Sequence, residues 1–240
     1  MRDPGAGSRR DPAVFPPYLY EGYRATILRA PSKRFVEIPE TPSEVTGPGP
    51  ALSEVMAEDA DLTRNAGTEG EAMGERIIVT GRVLDANGDP VPHTLIDIWQ
   101  ANSAGRYRHR RDQHHAPLDP NFLGMGRCLT DEDGAYRLLT IRPGAYPWPN
   151  HENAWRPAHI HFSLFGPRFT TRLVTQMYFP GDPLHDLDPI FNSVPTDAAR
   201  ARLIAEYAHD VTEPLWALGY RFDFVLAGTH GTPFEDGDHA

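Results

Sequence analysis

The chain has a single cysteine, Cys128, among its 240 residues, and it has no long apolar run. A lone cysteine excludes an internal disulfide and a site built from several thiolates, and it is typical of a reducing compartment. No apolar stretch approaches the roughly 20 residues that span a bilayer. No apolar segment follows the arginines near the N-terminus, so no export signal is predicted. These absences predict a cytoplasmic protein with no membrane partner.

Basic side chains are also scarce. The 23 lysines and arginines are outnumbered by 33 aspartates and glutamates, which gives a formal charge of −10. Such a balance disfavours nucleic acid and anionic membranes as partners. The apolar fraction of 40% and the charged fraction of 23% are those of a soluble globular chain.

Proline and glycine, by contrast, are abundant, with 24 and 21 residues. Proline breaks helix interiors and fixes turns, so this composition argues against a helical bundle. It favours short strands joined by many turns, and we therefore expect a mainly β fold.

Residues 1–75 are rich in proline and show no sustained periodicity, which is compatible with a disordered tail. Their first thirty residues nevertheless carry many apolar groups, which usually become buried. These are Phe15, Tyr18, Leu19, Tyr20, Tyr23, Ile27 and Leu28. We therefore predict a long Pro-rich N-terminal arm over residues 1–75 that packs on a core and on a partner chain. Residues 76–240 are predicted to form one domain.

Short β-branched and alternating segments predict strands from residue 76 onward. They cover residues 76–84, 94–99, 128–130, 135–141, 159–164, 173–179 and 220–226. One helix is predicted after Thr196, from Asp197 to Tyr207. The acidic turn at residues 131–134 resembles the start of a calcium loop but lacks the later ligands, so a plain turn is expected. Together these elements predict a β-sandwich core with one short helix near the C-terminus.

His159 and His161 flank one residue of a predicted strand, so both imidazoles point to the same face and can reach one metal ion. Alone the pattern is weak, because two polar positions on a half-exposed strand would look the same. Zinc usually takes a third His, Cys or carboxylate, and ferrous iron takes a nearby carboxylate. Neither is evident close to this pair.

The nearest candidates of another type are Tyr107 and Tyr146. A phenol with a pKa near 10 binds as phenolate only to a hard, highly charged cation. Two histidines and two tyrosines would therefore indicate ferric iron. The alternative is that both tyrosines are ordinary half-buried loop aromatics.

The segment from Gly144 to Ser163, GAYPWPNHENAWRPAHIHFS, strongly resembles the ferric intradiol dioxygenases. The resemblance covers most of the chain, from about Pro16 to Phe234. It includes the segments Pro17–Tyr20, Leu62–Asn65, Ile96–Asn102, Leu118–Phe122 and Gly228-Thr229.

The resemblance implies one non-haem Fe(3+) per chain. Its ligands would be Tyr107, Tyr146, His159 and His161, with Tyr146 and His161 axial and the other two equatorial beside a hydroxide. It also places five residues around the substrate: Tyr23, Trp148, Arg156, Gln176 and Ile190. Pro149 departs from the family, whose members often carry glycine or arginine there, so the shape of the substrate entrance is less well defined.

The implied reaction is ring cleavage of protocatechuate (3,4-dihydroxybenzoate) with O2 to 3-carboxy-cis,cis-muconate, in aromatic catabolism through the β-ketoadipate pathway. In the implied mechanism Tyr146 leaves the iron and accepts a catechol proton. Arg156 stabilises anionic intermediates, and Tyr23 on the arm is the candidate donor to the substrate carboxylate.

The resemblance further implies a homologous iron-free α chain that completes the active site, within a larger symmetric αβ oligomer. Three alternatives compete with this interpretation. They are a non-catalytic sandwich module, a zinc hydrolase, and a relative that cleaves catechol or hydroxyquinol. The last type usually carries a helical N-terminal dimerisation segment, which the Pro-rich start does not resemble.

Overall fold

Two β-sheets form the body of the computed structural model, which describes residues 13–33, 55–165 and 172–234. The first sheet is built around β1 (Arg76–Leu84). The second has four antiparallel strands in the order β3-β2-β7-β8. These strands are β2 (Leu95–Gln100), β3 (Met125–Leu129), β7 (His159–Phe165) and β8 (Arg172–Tyr178).

In the first sheet, β1 pairs antiparallel with β4 (Ala135–Ile141) along one edge. Along the other edge it pairs in parallel with β10 (Leu218–Arg221) and then β11 (Phe224–Val225). The short β9 (Glu206–Tyr207) pairs antiparallel with β10. A separate two-stranded sheet joins β5 (Tyr146–Pro147) to β6 (Trp155–Arg156).

The core lies between the two large sheets. One cluster of buried side chains draws Ile77 and Val79 from β1, Ile96 from β2, and Ile160 and Phe162 from β7. Cys128 belongs to this cluster, and burial raises the pKa of its thiol to about 12. Apolar residues from both sheets therefore meet face to face, as in a β-sandwich.

The mainly β prediction is confirmed, and most predicted strands appear within a few residues of their expected limits. The segment 220–226 is divided between β10 and β11. At the break, the Asp223 carboxylate accepts the N–H of Arg82 and the Phe222 N–H donates to the Thr80 carbonyl. A Cβ on Gly81 would lie 1.9 Å from the Phe222 carbonyl oxygen, so this close approach requires glycine.

The predicted helix from Asp197 to Tyr207 is wrong in its second half. Thr196 caps it as expected, but α3 (Asp197–Ala201) ends after five residues. Beyond it, the Tyr178 N–H donates to the Leu203 carbonyl at 2.7 Å, and the Ala205 N–H donates to the Tyr178 carbonyl at 2.9 Å. Pairing with the edge of β8 therefore replaces the helical hydrogen bonds, and Tyr207 lies in β9.

Two further α-helices were not predicted, α1 (Arg24–Arg29) and α2 (Pro189–Ser193). Two 3₁₀ turns, Ala57–Ala60 and His185–Leu187, complete the helical elements of the described ranges. In these ranges no helix is both long and apolar enough to cross a bilayer.

The part of the predicted arm that the structure describes contacts the body. The Leu62 side chain is fully buried in the core cluster, and its N–H donates to the Leu139 carbonyl. Near the N-terminus, the Asn150 side chain accepts the Arg24 N–H and donates to the Gly22 carbonyl. Residues 1–12 and 34–54 of the predicted arm lie outside the described residues. The domain boundary at residue 76 stays a prediction.

Candidate active site

The central strand β7 carries both histidines of the predicted site. It pairs with β2 on one side and β8 on the other, which fixes its backbone. His159 and His161 share one face, and Ile160 between them points into the core. His159 is 1% exposed and His161 is 8% exposed. They are therefore not solvent-facing polar residues on a half-exposed strand.

Tyr107 reaches this face from the long connection between β2 and β3. The Asp112 carboxylate accepts the Tyr107 N–H at 2.7 Å and so holds the loop. Gly105, with φ of +76°, packs so tightly that a Cβ would lie 2.0 Å from the Ala145 carbonyl oxygen. This close approach brings the loop against β5, and the rings of Tyr107 and Tyr146 meet edge to face at 5.3 Å.

The four predicted metal-ligating side chains converge on one point. The His159 and His161 Nε2 atoms are 3.1 Å apart. The Tyr107 hydroxyl lies 3.1 Å from His161 Nε2, and the Tyr146 hydroxyl lies 3.3 Å from His159 Nε2. Ligands bound at about 2.1 Å to one ion and separated by 90–110° lie about 3.0–3.4 Å from each other. The spacing of these four donor atoms therefore fits a single bound metal ion.

The histidine rings are held in orientations that suit metal binding. His159 Nδ1 is 2.7 Å from the Pro157 carbonyl, which only accepts, so the proton resides on Nδ1 and Nε2 keeps its lone pair. Burial, with the charges of Arg156 and His161, holds the pKa of His159 well below its usual value. The His161 ring stacks on Trp99 at 4.8 Å with the planes 7° apart.

Tyr146 comes to the site on β5, directly opposite Arg156 on β6. Burial raises the pKa of the Tyr146 phenol, while the Arg156 charge and a hydrogen bond with Tyr107 oppose this effect. The free phenol is therefore neutral at physiological pH. A strongly charged cation is needed to convert it to phenolate.

Arg156 is a buried cation next to the four donor side chains, with 3% exposure. Its Nη1 lies 3.1 Å from His159 Nε2. Its Nη2, which has two hydrogens, lies within hydrogen-bond distance of three oxygens: the Gln176 carbonyl oxygen at 2.6 Å, the Tyr178 hydroxyl at 2.9 Å and Asp188 at 2.8 Å. Burial disfavours its charge, but the Asp188 carboxylate together with Tyr178 and Tyr146 outweighs this, so the pKa of Arg156 lies well above its usual value.

A stack of aromatic and guanidinium groups, which we call the aromatic stack, links the arm to the site. It contains Arg156, Trp148, Tyr23 and Arg29. The Arg156 guanidinium lies 5.7 Å from the Trp148 ring, and Trp148 packs on Tyr23 at 5.5 Å. The Arg29 guanidinium lies 5.0 Å from the Tyr23 ring. Trp148 Nε1 and Arg29 Nε and Nη2 are buried and have no hydrogen-bond partner among the described residues.

The other two predicted substrate residues lie on the far side of Arg156. Gln176, 2% exposed, uses its carbonyl oxygen for Arg156 and the Tyr178 hydroxyl. Ile190 is the second residue of α2 and donates its N–H to Asp188. Both line a cavity of about 10 Å³, which holds about one water molecule and not an aromatic ring.

Sequence reasoning missed five residues around the site: Trp99, Asp112, Tyr178, Asp188 and Arg29. Asp188-Pro189 is a recognisable helix start, because aspartate is a good N-cap and proline suits the first helical turn. Trp99 and Tyr178 have no local signal, because they meet His161 and Arg156 from distant segments. Asp112 and Arg29 contact Tyr107 and Tyr23 nearby in the sequence, but neither belongs to a recognisable motif. Among the described residues, no group of three or more His, Cys, Asp and Glu side chains could hold a metal ion. A zinc site of that composition is therefore not formed in these ranges.

Comparison with known proteins agrees with this geometry. A family model described as "Dioxygenase" matches residues 47–228. The chain belongs to the intradiol ring-cleavage dioxygenase family. A second model, for the N-terminal part of the protocatechuate 3,4-dioxygenase beta subunit, matches residues 8–41.

Individual members of the intradiol family are similar over three quarters or more of the chain. The protocatechuate 3,4-dioxygenase beta chain of Burkholderia cepacia is 55% identical, over 98% of this chain and 100% of its own. The protocatechuate 3,4-dioxygenase alpha chain of Pseudomonas putida is 30% identical, over 83% of this chain and 97% of its own. The dioxygenase domain of a Streptomyces carbohydrate-binding fusion has a TM-score of 0.50 at 28% identity, covering 75% of this chain and 97% of that domain.

Proposed function

We propose that this chain is the iron-bearing β chain of a protocatechuate 3,4-dioxygenase. It cleaves protocatechuate with O2 between the two hydroxyl-bearing carbons and yields 3-carboxy-cis,cis-muconate, a step of aromatic catabolism in the β-ketoadipate pathway. One observation carries the proposal. Two tyrosines and two histidines converge within 3.1–3.3 Å in a chain 55% identical to a beta chain of that name.

The donor set fits one ferric ion, held by Tyr107, Tyr146, His159 and His161. Two phenolates and a hydroxide would neutralise a trivalent cation, so the buried centre would carry no net charge and would avoid the cost of burying one. When bound, ferric iron supplies a Lewis acid that withdraws electron density from a catecholate ring and so prepares a ring carbon for attack by O2.

The residues of this chain supply the proton and charge chemistry. Tyr146 would help to hold the iron, and its phenolate would be a base positioned to accept a catechol proton. Arg156 carries a permanent charge whose Nη1 edge faces His159, so it stabilises negative charge that develops on the substrate during ring opening. Tyr146 and Arg156 are therefore the catalytic residues of the proposal.

The aromatic stack supports recognition of the substrate carboxylate. Tyr23 packs on Trp148 in that stack and supplies a phenol hydroxyl. Arg29 adds a cation with two buried donor atoms that have no hydrogen-bond partner among the described residues. A carboxylate satisfies both donors of such a guanidinium edge at once. Trp148, Gln176 and Ile190 are proposed to shape the rest of the substrate site.

The α–β assembly is supported by the two kinds of relative, a beta chain and an alpha chain, that match this sequence. The cavity beside Gln176 is too small for an aromatic ring. This cavity is therefore not the substrate site, and we propose that an iron-free α chain completes the active site within a larger symmetric αβ oligomer. A cytoplasmic location also stays a prediction.

Colour and oxygen uptake test the function directly. The chain, co-expressed with its α partner and loaded with iron, should absorb visible light through tyrosinate-to-iron charge transfer. It should consume O2 with protocatechuate in preference to catechol or hydroxyquinol. A colourless protein with stoichiometric zinc would contradict the iron site. A coloured protein that prefers catechol would contradict only the substrate.

A further inference from the structure

Asp188 is a fully buried carboxylate that the reaction described above does not use. We propose that Asp188 is the positioning residue of Arg156, holding one edge of its guanidinium so that the Nη1 edge faces the reacting centre. This inference rests on the proposed function, because it assigns a role in that reaction.

The hydrogen bonds divide the guanidinium into two edges. On one edge, Nη2 is 2.8 Å and Nε is 3.3 Å from the two carboxylate oxygens of Asp188, an approximately bidentate arrangement. The oxygens of Gln176 and Tyr178 also lie within hydrogen-bond distance of Nη2, which shares its two hydrogens among these acceptors. On the other edge, Nη1 has His159 Nε2 as a neighbour at 3.1 Å. Once that nitrogen binds a metal it no longer accepts, so the Nη1 hydrogens become available to substrate.

Asp188 is itself held from three directions, so its own rotamer is fixed. It is the N-cap of α2, where Oδ1 accepts the Ile190 N–H at 3.1 Å. The Tyr178 hydroxyl, whose one proton is shared between the Gln176 carbonyl oxygen and Oδ2, lies 3.1 Å from Oδ2, and Arg156 is the third partner. A carboxylate held in this way transmits its orientation to the guanidinium, as the outer partners of a metal site orient its ligands.

The charges of Arg156 and Asp188 also support a positioning role for Asp188. A buried guanidinium without a counter-ion is costly, and it would be drawn toward the nearest anionic ligand. In the described structure the full charge of Asp188 lies on the side of Arg156 away from His159, bonded to Nε and Nη2. The pair is neutral overall, and the Nη1 edge keeps the positive potential that an anionic intermediate requires.

The simpler alternative is that Asp188 only caps α2 and stabilises the fold. Asp188→Asn separates the two roles, because asparagine is an equally good N-cap and keeps an oxygen for the Ile190 N–H. The Asp188→Asn substitution removes the negative charge. It also places a side-chain amide next to the Arg156 guanidinium and the Tyr178 hydroxyl. Asp119→Asn is a matched control, since Asp119 is also buried and its carboxylate accepts the backbone N–H groups of Met73 and Asn121.

The experiment is a double-mutant cycle in the iron-loaded αβ complex with Asp188→Asn, Arg156→Met and the double variant. We expect Asp188→Asn to retain iron and visible absorption and to lower kcat about 10–100-fold, as residues supporting a metal site do. KM should change less than about threefold. In the Arg156→Met background, Asp188→Asn should change kcat by less than about twofold, because its target is gone. Asp119→Asn should keep the wild-type kcat.

A second measurement does not depend on turnover. In the iron-free complex, Asp188→Asn should lower the midpoint of thermal unfolding, and this decrease should largely vanish in the Arg156→Met background. Independent effects of the two substitutions on kcat would overturn the inference, as would an effect on stability alone. Wild-type activity reports separately on the proposed function. A wild-type complex that does not cleave its substrate contradicts that function and, with it, this role.

Discussion

The two faces of strand β7 differ in what fixes them. Ile160, Phe162 and Leu164 belong to the shared core cluster, where any side chain of similar volume removes similar area from water. On the other face His159 and His161 each depend on particular atoms, the Pro157 carbonyl and the Trp99 ring. The apolar face therefore determines stability, whereas the two histidines of the polar face determine the chemistry and cannot be replaced by side chains of similar volume.

The sharpest separation of the two faces comes from His161→Ala. We expect the variant to fold, to lose iron and visible absorption, and to lose more than about 100-fold in kcat/KM. This exceeds the loss typical of residues that only support a ligand. Metal analysis, absorption spectra and oxygen uptake measure these effects. Full retention of iron would show that the polar face does not hold the metal through His161.

Ile160→Ala tests the apolar face one residue away. Removing this fully buried side chain leaves a cavity and should lower the free energy of unfolding by about 2–5 kcal/mol. The protein that remains folded should keep its iron and its colour. Denaturant unfolding of the αβ complex, followed beside visible absorption, measures both. A colourless but fully stable variant would reverse the roles of the two faces.

Arg29→Gln tests whether the substrate site extends from β7 along the aromatic stack as far as Arg29. Loss of one charge-assisted contact is worth about 1.5–3 kcal/mol. We therefore expect KM for protocatechuate to rise about 10–100-fold while the kinetics with catechol, which lacks the carboxylate, stay unchanged. Arg24→Gln is the control in the same helix, because that exposed residue contacts Asn150 through its backbone N–H. Equal effects on both substrates would remove Arg29 from carboxylate recognition.

The smallest effect is expected on the polar face itself. Ser163 follows His161 on that face, and its buried hydroxyl has no partner among the described residues. Replacing an unsatisfied hydroxyl costs nothing in hydrogen bonding. Ser163→Ala should therefore leave activity unchanged and alter the free energy of unfolding by 0 to about 1 kcal/mol, in the stabilising direction. A loss of iron in this variant would mean that the whole face is needed for metal binding.

The strands were predictable because their signals are local. Alternation and β-branching located β1 and β4 at their observed limits, and the His159–His161 spacing already placed both rings on one face. The helix after Thr196 failed beyond Ala201, because the edge of β8 competes for the same backbone groups. A local pattern does not contain that competition.

The sequence by itself determined the sandwich, the residue types of the site and the likeness to the intradiol dioxygenases. Only the tertiary structure decided that Tyr107 reaches His161 and that Asp188 faces Arg156. The physical reason is range. Strand periodicity arises from neighbouring residues, whereas these contacts join segments up to 54 positions apart and form only when the core has closed.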